Sequence, residues 1–312
     1  MALDHRFPDL GREAAVLAAA GAALDDLKGL PEEEAFARAS GADAILLGAR
    51  FQFTAERLAR LERCQAIVRY GVGVDNVDVA AAKARGIVVS CVPDYCVEEV
   101  ATHAVALLLA LHRQLASYDA RTRRGEAGAD TVHPIRRLTG LNLGVIGFGR
   151  IGRETARRAA ALGLGILAHD PLLPDAAITA EGAIALSLDD LLGRADAITL
   201  HVPLSPQTRN LIDAARLSRL KRGALVINVG RGGLIDERAL AAALLSGHLG
   251  GAGLDVTTEE PLPPGHQLFE APNTILTPHV AWYSTGAQQD LQTKAAEEVA
   301  RVLRGESAQN AL

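Results

Sequence analysis

The sequence has few aromatic residues, few cysteines and no excess of positive charge. Aromatic residues make up 4% of its 312 residues, and the formal net charge is -5 at pH 7. Proteins that bind nucleic acid usually carry basic surfaces with interleaved aromatic residues, so no nucleic-acid partner is expected. The three cysteines, Cys64, Cys91 and Cys96, have no zinc-like spacing with histidine. We therefore expect reduced core thiols and no metal site.

Long apolar runs are also missing. The longest, Ala104–Leu111, is far too short for a helix that crosses a bilayer, and the first residues do not have the form of a signal peptide. No membrane partner is therefore expected, and a cytoplasmic location is predicted. The chain length fits about two domains, each large enough to bury its own core.

Short apolar runs alternate with amphipathic segments from residue 42 onward. This alternation is typical of a parallel sheet covered by helices on both faces, so we predict an α/β fold. Three strand-like runs come before residue 95, at Ala44–Leu47, Ala66–Tyr70 and Ile87–Cys91. Six more follow it, at Leu143–Gly147, Gly165–His169, Ala197–His201, Ala224–Asn228, Gly251–Val256 and Thr274–Thr277.

A glycine-rich turn connects one of these strands to a helix-forming segment. The run from Leu143 ends in Gly147-x-Gly149-x-x-Gly152, and the helical pattern starts at once. Gly147 permits a tight turn, Gly149 lets the main chain approach a phosphate, and Gly152 lets the helix pack closely on the strand. Backbone amides at the start of the helix can then bind a pyrophosphate. The segment predicts a Rossmann dinucleotide-binding site.

An acidic residue at the end of the next strand indicates which dinucleotide binds. Asp170 follows the run Gly165–His169 directly, and the next residue is Pro171, not an arginine. A carboxylate at this position can accept hydrogen bonds from the ribose hydroxyls and repels a 2′-phosphate. The predicted cofactor is NAD and not NADP.

Polar segments follow three of the later strands, where the ligand crevice of an open α/β sheet lies. They are Asn228–Gly233, Leu254–Pro261 and Thr277–Trp282. Together with the glycine fingerprint, their motifs Arg231, Glu260-Pro261 and Pro278-His279 resemble the D-isomer-specific 2-hydroxyacid dehydrogenase family. The resemblance runs over nearly the whole chain, from the loop at Phe7 to the last helix.

The resemblance implies a catalytic set of Arg231, Glu260 and His279. His279 would be the acid in reduction and the base in oxidation, Glu260 its partner, and Arg231 the substrate anchor. These residue types suit the chemistry, because histidine exchanges protons near neutral pH and a neighbouring carboxylate holds the ring. The planar guanidinium of arginine binds a carboxylate and polarises a carbonyl group.

Further contacts are implied by the same resemblance. Asp255 would receive the nicotinamide carboxamide, or it would only cap the following turn, and His103 and His112 are expected to be ordinary helix residues. The remaining cofactor contacts are Thr102, Arg150, Ile151, His201, Val202, Pro203, Thr208, Val229 and Gly230. The substrate contacts are Arg69, Val72, Gly73 and Trp282. Arg69 could equally be an ordinary turn residue. Trp282 is expected to lie over the substrate, and the alternative is that it only fills the space between the domains.

The implied architecture is two doubly wound parallel-sheet domains. Residues 96–283 would form the NAD-binding Rossmann domain, and residues 1–95 with 284–312 a smaller flavodoxin-like substrate domain. One departure concerns the start of the chain, because the four residues before His5 leave almost no room for the first strand that the family usually has. Either the chain starts further upstream or the smaller domain lacks a strand.

The sequence thus predicts an NAD-dependent D-2-hydroxyacid dehydrogenase, expected to be a homodimer, that acts on a small 2-oxo or 2-hydroxy carboxylate. Within the family, the segments 96–99, 231–236 and 281–284 most resemble the C-terminal-binding-protein branch. An NADH-sensing regulatory protein with little turnover is therefore the alternative. A further alternative is phosphoglycerate dehydrogenase, which would require more cationic side chains for a phosphate and usually an additional regulatory domain, for which this length leaves no room.

Overall fold

The computed structural model describes residues 1–129 and 134–312. These residues form two compact units, one made of Met1–Cys96 with Tyr283–Leu312 and the other of Val97–Trp282. Each unit contains one parallel sheet, of four strands in the first and seven in the second, which confirms the predicted α/β class. The assignment of substrate to one unit and cofactor to the other stays a prediction.

The first unit is built from short buried strands that alternate with helices. Its elements up to residue 96 are β1 (Ala2–Leu3), α1 (Gly11–Ala19), α2 (Glu32–Ala39), β2 (Ala44–Leu47), α3 (Ala55–Ala59), β3 (Ala66–Arg69), α4 (Val79–Ala84) and β4 (Val88–Ser90). The strands lie in the order β1-β2-β3-β4. On the side of β1 away from β2, Ala2 forms a single parallel bridge with Asp26. Counted in chain order, with the Asp26 segment as the second member, the arrangement follows the 2-1-3-4-5 order of flavodoxin-like sheets.

The first strand is present, so the prediction that the smaller domain lacks a strand is wrong. Ala2 and Leu3 have no exposed surface, and they pair in parallel with Leu46 and Leu47. Two residues are enough because β1 is bonded on both sides: the Ala2 N–H also donates to the Asp25 carbonyl at 2.9 Å. A buried strand that is hydrogen-bonded on both sides can consist of only two apolar residues.

The second unit is a larger sheet with helices between successive strands. Its elements are α5 (Val97–His112), α6 (Leu115–Arg123), β5 (Asn142–Ile146), α7 (Arg150–Ala161), β6 (Gly165–His169), α8 (Asp175–Thr179), β7 (Ile184–Ala185), α9 (Leu188–Arg194), β8 (Ala197–Leu200), α10 (Ala214–Arg219), β9 (Leu225–Asn228), α11 (Glu237–Leu245), β10 (Gly251–Leu254) and β11 (Thr274–Leu276). The order β11-β10-β9-β8-β5-β6-β7 reverses next to β5. Ligands of such sheets bind beyond the strand ends at this reversal.

Two details of the second unit differ from the prediction. The apolar residues from Val97 to Leu115 have helical spacing and predict one helix over Val97–Tyr118, but Gln114 adopts a left-handed conformation with a φ of 52° and separates α5 from α6. The strand β7 was not predicted, since it has only two residues and Ile184 is half exposed at the edge of the sheet.

The C-terminal helix α12 (Thr285–Leu303) belongs to the first unit, where it packs against α1 and β3. All three cysteines are buried and form no disulfide bond, as predicted, and burial raises the pKa of Cys64 to about 11. Within residues 1–129 and 134–312, no helix combines the length and apolar character needed to span a membrane. The same residues contain no cluster of three or more histidine, cysteine or acidic side chains that could hold a metal ion.

Candidate active site

The glycine fingerprint lies between β5 and α7, at the reversal point of the larger sheet. Gly147 has a φ of 90°, and α7 starts at Arg150 with Gly149 as its N-cap residue. A Cβ atom on Gly152 would lie 2.1 Å from the carbonyl oxygen of Gly147, closer than any real contact. The first turn of the helix can therefore press against the end of the strand only because residue 152 is glycine.

The start of α7 has the features of an anion-binding site. Gly149 and Arg150 are exposed, Ile151 is half-buried, and no heavy atom lies within 4 Å of the position of a Gly149 Cβ atom. The N-terminal amides of a twelve-residue helix carry partial positive charge and point along the helix axis. These residues fit the pyrophosphate of a dinucleotide.

The carboxylate of Asp170 is fixed at the end of β6. One of its oxygens accepts a hydrogen bond from the Phe148 N–H at 2.8 Å, and the other accepts one from the Leu172 N–H at 3.0 Å. Each carboxylate oxygen keeps a second lone pair, so a ribose diol can still bind. The first of these bonds ties Asp170 to the fingerprint turn itself.

The segment after β8 forms a wall beside the fingerprint. His201 contacts Gly147 so closely that a Cβ atom there would lie 2.7 Å from the His201 carbonyl carbon. Burial lowers the pKa of His201 to about 3, so its ring is neutral at physiological pH. Val202 is half-buried and Pro203 exposed, and the Thr208 hydroxyl donates to the Pro203 carbonyl at 2.7 Å. These four predicted cofactor contacts therefore lie in one loop with an internal hydrogen bond.

Arg231 follows β9 on a loop that the strand itself stabilises. The Asn228 side chain donates to the Arg231 carbonyl at 2.8 Å and accepts from the Gly230 N–H at 3.1 Å, while Val229 is buried. One guanidinium nitrogen of Arg231 donates to the Gly230 carbonyl at 2.8 Å. A guanidinium group carries its N–H donors in a planar fork, the geometry that binds a carboxylate.

The Arg231 loop touches the loop that carries Glu260. A Cβ atom on Gly232 would lie 2.0 Å from the carbonyl carbon of Thr257 and 2.3 Å from the Thr258 nitrogen. Only glycine permits this approach of two backbones. Because the contact lies one residue after Arg231 and two before Glu260, it fixes the separation of the two predicted catalytic loops.

His279 and Glu260 form a hydrogen-bonded pair. The His279 Nδ1 atom lies 2.8 Å from a Glu260 carboxylate oxygen, and the other oxygen accepts from the Thr257 N–H at 3.3 Å. Partial burial raises the pKa of the Glu260 carboxyl, but the hydrogen bond with His279 and the nearby positive charges outweigh burial and hold the pKa below its usual value. The ionised carboxylate accepts a hydrogen bond from the Nδ1–H group. Nε2 is therefore the ring nitrogen that can exchange a proton with a substrate.

Asp255 supports the turn that carries His279. Its side chain is 1% exposed, and one of its oxygens accepts from the Thr277 hydroxyl at 2.6 Å and from the Val280 N–H at 2.9 Å. The second oxygen accepts from the Ala281 N–H at 2.8 Å. Of the two interpretations given above, these contacts are those of a turn cap, and the contact with a nicotinamide stays a prediction.

The linking helix α5 contributes two neighbouring side chains with different surroundings. The exposed Thr102 hydroxyl donates to the Glu98 carbonyl at 2.7 Å and also bonds Arg158 on α7. His103, expected to be an ordinary helix residue, lies 3.0 Å through Nε2 from the Thr277 hydroxyl. Sequence reasoning missed this contact, since nothing in the helical spacing shows which face of α5 packs on the end of β11.

The remaining predicted substrate contacts fall in both units. Trp282 ends the second unit, is half-buried, and donates from Nε1 to the His279 carbonyl at 3.1 Å. Arg69, Val72 and Gly73 lie in the first unit, at the end of β3 and in the loop after it. Arg69 folds over Gly71, and its guanidinium donates to the Tyr70 carbonyl at 2.6 Å.

Comparison with known proteins decides the family. Residues 105–281 match the model of the D-isomer specific 2-hydroxyacid dehydrogenase, NAD binding domain. This chain belongs to that family. A D-3-phosphoglycerate dehydrogenase of Mycobacterium tuberculosis is 42% identical over 265 residues, which cover 85% of this chain and 50% of the relative. The chain thus spans half the length of that relative.

Two further relatives match over most of both chains. A glycerate dehydrogenase of Methylorubrum extorquens is 39% identical over 280 residues, which cover 88% of this chain and 86% of the relative. The crystal structure of a D-lactate dehydrogenase from Aquifex aeolicus, complexed with NAD and lactic acid, superposes with a TM-score of 0.86 at 29% identity. That alignment covers 98% of this chain and 97% of the other. These matches agree with the fold and family predicted from the sequence.

Proposed function

We propose that this protein is an NAD-dependent dehydrogenase that interconverts a small 2-oxo acid and its D-2-hydroxy acid. The observation that carries the proposal is the His279–Glu260 pair, with Nδ1 and the carboxylate 2.8 Å apart. Glu260 lies on the loop that contacts the Arg231 loop at Gly232. A proton donor, its carboxylate partner and a fixed cation are the groups that reduction of a 2-oxo acid requires.

Each residue has a defined step in this reaction. Bound at the glycine fingerprint, NADH would supply the hydride for the carbonyl carbon. The carbonyl oxygen takes the proton from Nε2 of His279, while Glu260 accepts the hydrogen bond from Nδ1 and stabilises the ring's charge. Arg231 binds the substrate carboxylate and polarises the carbonyl group. In the oxidation direction the neutral His279 ring accepts the hydroxyl proton.

The proposed cofactor contacts lie within the second unit. Gly147, Gly149 and Gly152 would receive the pyrophosphate at the start of α7, and Asp170 the ribose hydroxyls. The predicted contacts of Thr102, Arg150, Ile151, His201, Val202, Pro203, Thr208, Val229, Gly230 and Asp255 belong to the same proposal, as do the substrate contacts of Arg69, Val72, Gly73 and Trp282.

Glycerate and 3-phosphoglycerate are the first substrates to test. The relatives described above are named glycerate dehydrogenase and D-3-phosphoglycerate dehydrogenase, and the identities of 39% and 42% support this choice. The phosphoglycerate alternative, placed third from the sequence, is therefore a second candidate. It requires an additional cationic contact for the phosphate, for which Arg69 is the predicted substrate residue to examine.

The regulatory alternative and the C-terminal-binding-protein branch stay predictions, since the relatives described above carry dehydrogenase names. We also propose a homodimer, as the family resemblance implies. Light scattering should then give twice the chain mass of 32.7 kDa.

The test is a substrate panel assayed by oxidation of NADH. Pyruvate, glyoxylate, hydroxypyruvate and 3-phosphohydroxypyruvate are each supplied to the unmodified protein and to a His279→Ala variant. At least one acid should be reduced, and the variant should lose ~10²–10⁴-fold in kcat while it still binds NADH. Tight NADH binding without reduction of any acid would replace the enzyme proposal by the regulatory one.

A further inference from the structure

A chain of hydrogen bonds runs from helix α5 to the turn that carries His279. His103 on α5 is the first member, and its Nε2 atom lies 3.0 Å from the Thr277 hydroxyl oxygen. The same hydroxyl lies 2.6 Å from a carboxylate oxygen of Asp255. All three residues lie in the second unit, and the His103 side chain is 24% exposed.

The direction of each hydrogen bond follows from the groups involved. The Asp255 carboxylate only accepts hydrogen bonds, so the single hydroxyl proton of Thr277 must point to it. The Thr277 oxygen can then only accept from His103, which requires a proton on Nε2 of the imidazole. The geometry assigns His103 as the donor that starts the chain.

The far end of the chain holds His279 in an uncommon backbone conformation. His279 has a φ of 55°, in the left-handed region that few residues other than glycine adopt. Its N–H donates to the Asp255 carbonyl at 2.8 Å, and the Asp255 carboxylate accepts the next two backbone N–H groups, of Val280 and Ala281. A nearly fully buried carboxylate that accepts hydrogen bonds from three donors is set in one orientation.

We propose that His103 is a positioning residue of the active site. By donating to Thr277 it keeps the Thr277 hydroxyl directed at Asp255, and Asp255 in turn holds the left-handed turn that aims the His279 ring at Glu260. This inference rests on the proposed function, in which His279 exchanges the proton with the substrate. A small displacement of a catalytic group is costly, since about 1 Å can lower a rate by roughly 10²-fold.

Four variants test the proposal. His103→Leu keeps the side-chain volume without a donor, and His103→Gln keeps an N–H donor near the position of Nε2. His112→Leu is the matched control on the same helix, nine residues further along. Thr277→Val, alone and combined with His103→Leu, asks whether His103 acts through Thr277. For each protein we would measure kcat, KM for the best 2-oxo acid, NADH affinity and the midpoint of thermal unfolding.

His103→Leu should lower kcat by roughly 10- to 100-fold, with a much smaller change in KM, because the reacting group is misplaced while the anchor Arg231 is untouched. His103→Gln should recover most of this loss, and His112→Leu should cause none. In the Thr277→Val background, His103→Leu should have almost no additional effect, since residues in one network are not additive. A purely structural role would instead lower the unfolding midpoint without this donor-dependent change in kcat.

An unchanged kcat in His103→Leu would overturn the proposal. So would a loss of kcat in the double variant that equals the sum of the two single losses in free energy.

A failure of the proposed function can be recognised separately. In that case His279→Ala is as active as the unmodified protein, or neither protein reduces any acid. In that case long-range ¹⁵N–¹H spectra of the histidine rings decide. They should show His103 with its proton on Nε2, and His279 signals that shift in His103→Leu but not in His112→Leu. Unshifted His279 signals would contradict the positioning role.

Discussion

Asp170 shows how a single side chain can select a cofactor. Its two oxygens are bonded to the Phe148 and Leu172 N–H groups, so the negative charge is fixed where the adenosine ribose is predicted. A 2′-phosphate placed there would face this charge at short range, where like charges repel strongly. The unmodified protein should therefore have a clearly higher kcat/KM with NADH than with NADPH.

The double substitution Asp170→Ser with Pro171→Arg should move this preference toward NADPH. It removes the repelling charge and adds a cation at an exposed neighbouring position. The matched control is Asp119→Ser, which removes an exposed carboxylate on α6, whereas Asp175 lines the same cavity as Asp170 and is unsuitable. Comparable kcat/KM values with both cofactors in the unmodified protein would refute the role of Asp170.

A substitution of Arg231 can distinguish the proposed enzyme from the regulatory alternative. Lysine at this position keeps one positive charge but loses the planar fork that can hold a carboxylate and a carbonyl oxygen together. If one charge-assisted hydrogen bond of about 1.5–3 kcal/mol is lost, Arg231→Lys should lower kcat/KM roughly 10- to 100-fold. Steady-state kinetics with the best 2-oxo acid measures this change. NADH affinity, followed by fluorescence, should stay the same, and a variant as efficient as the unmodified protein would exclude Arg231 as the anchor.

The sequence predicted the residues with a recognisable motif and missed those that act through tertiary packing. His279, Glu260 and Arg231 follow strands in a fixed order, and the structure brings His279 and Glu260 to 2.8 Å. The contact of His103 with Thr277 joins residues 174 positions apart. No local pattern records such a pairing, because it depends on how α5 lies against the end of β11.

At the scale of elements, the sequence predicted the buried strands and missed a break between two helices. β2 and β6 have the predicted bounds, since each is an apolar run closed by polar or glycine residues. The break between α5 and α6 was missed because Leu115 continues the apolar spacing of α5, and Gln114 at the break is neither glycine nor proline. The structure leaves Leu115 56% exposed, so the apolar spacing was there by coincidence.

Asp196 stabilises the pairing of β5 with β8, two neighbouring central strands of the larger sheet. Just before β8, its carboxylate accepts from the Asn142 N–H of β5 at 2.9 Å and pairs with Arg136 at 2.9 Å and Lys221 at 3.2 Å. Partial burial raises the pKa of Asp196, but the hydrogen bonds from Asn142, Lys221 and Arg136 outweigh burial and hold it below its usual value. The charged form is therefore favoured by folding.

The sign of the pH dependence follows from this lowered pKa. The stabilisation by Asp196 should be complete above the aspartate pKa of the unfolded chain, about 3.9, and should be lost as the pH falls below it. Asp196→Asn should lower the free energy of unfolding by about 1 kcal/mol at neutral pH and by less in acid. Urea unfolding of both proteins at pH 7 and pH 3 measures the two differences. A difference that grows in acid would contradict the assignment.

At the scale of the whole molecule, the division into two units should allow the effect of NAD on the stability of one unit to be measured apart from the other unit. Every proposed NAD contact lies in Val97–Trp282, and Trp282, the only tryptophan of the chain, is the last residue of this unit. Its Nε1 atom bonds the His279 carbonyl, so its fluorescence should report the unfolding of the unit that contains the proposed NAD contacts. Circular dichroism reports the helices of both units, and a chain with two units need not unfold in one step.

NAD⁺ should therefore raise the midpoint of the unfolding transition that tryptophan fluorescence follows. A ligand at 100 times its Kd stabilises the folded state by about 2.7 kcal/mol when it does not bind the unfolded chain. Gly152→Ala should abolish this shift, because its Cβ atom would stand 2.1 Å from the Gly147 carbonyl oxygen and force the fingerprint turn apart. Gly193→Ala on α9 is the control, since its Cβ atom meets no heavy atom within 4 Å. A shift that persists in Gly152→Ala, or that is absent from Gly193→Ala at the same multiple of Kd, would mean that the cofactor does not bind at the start of α7.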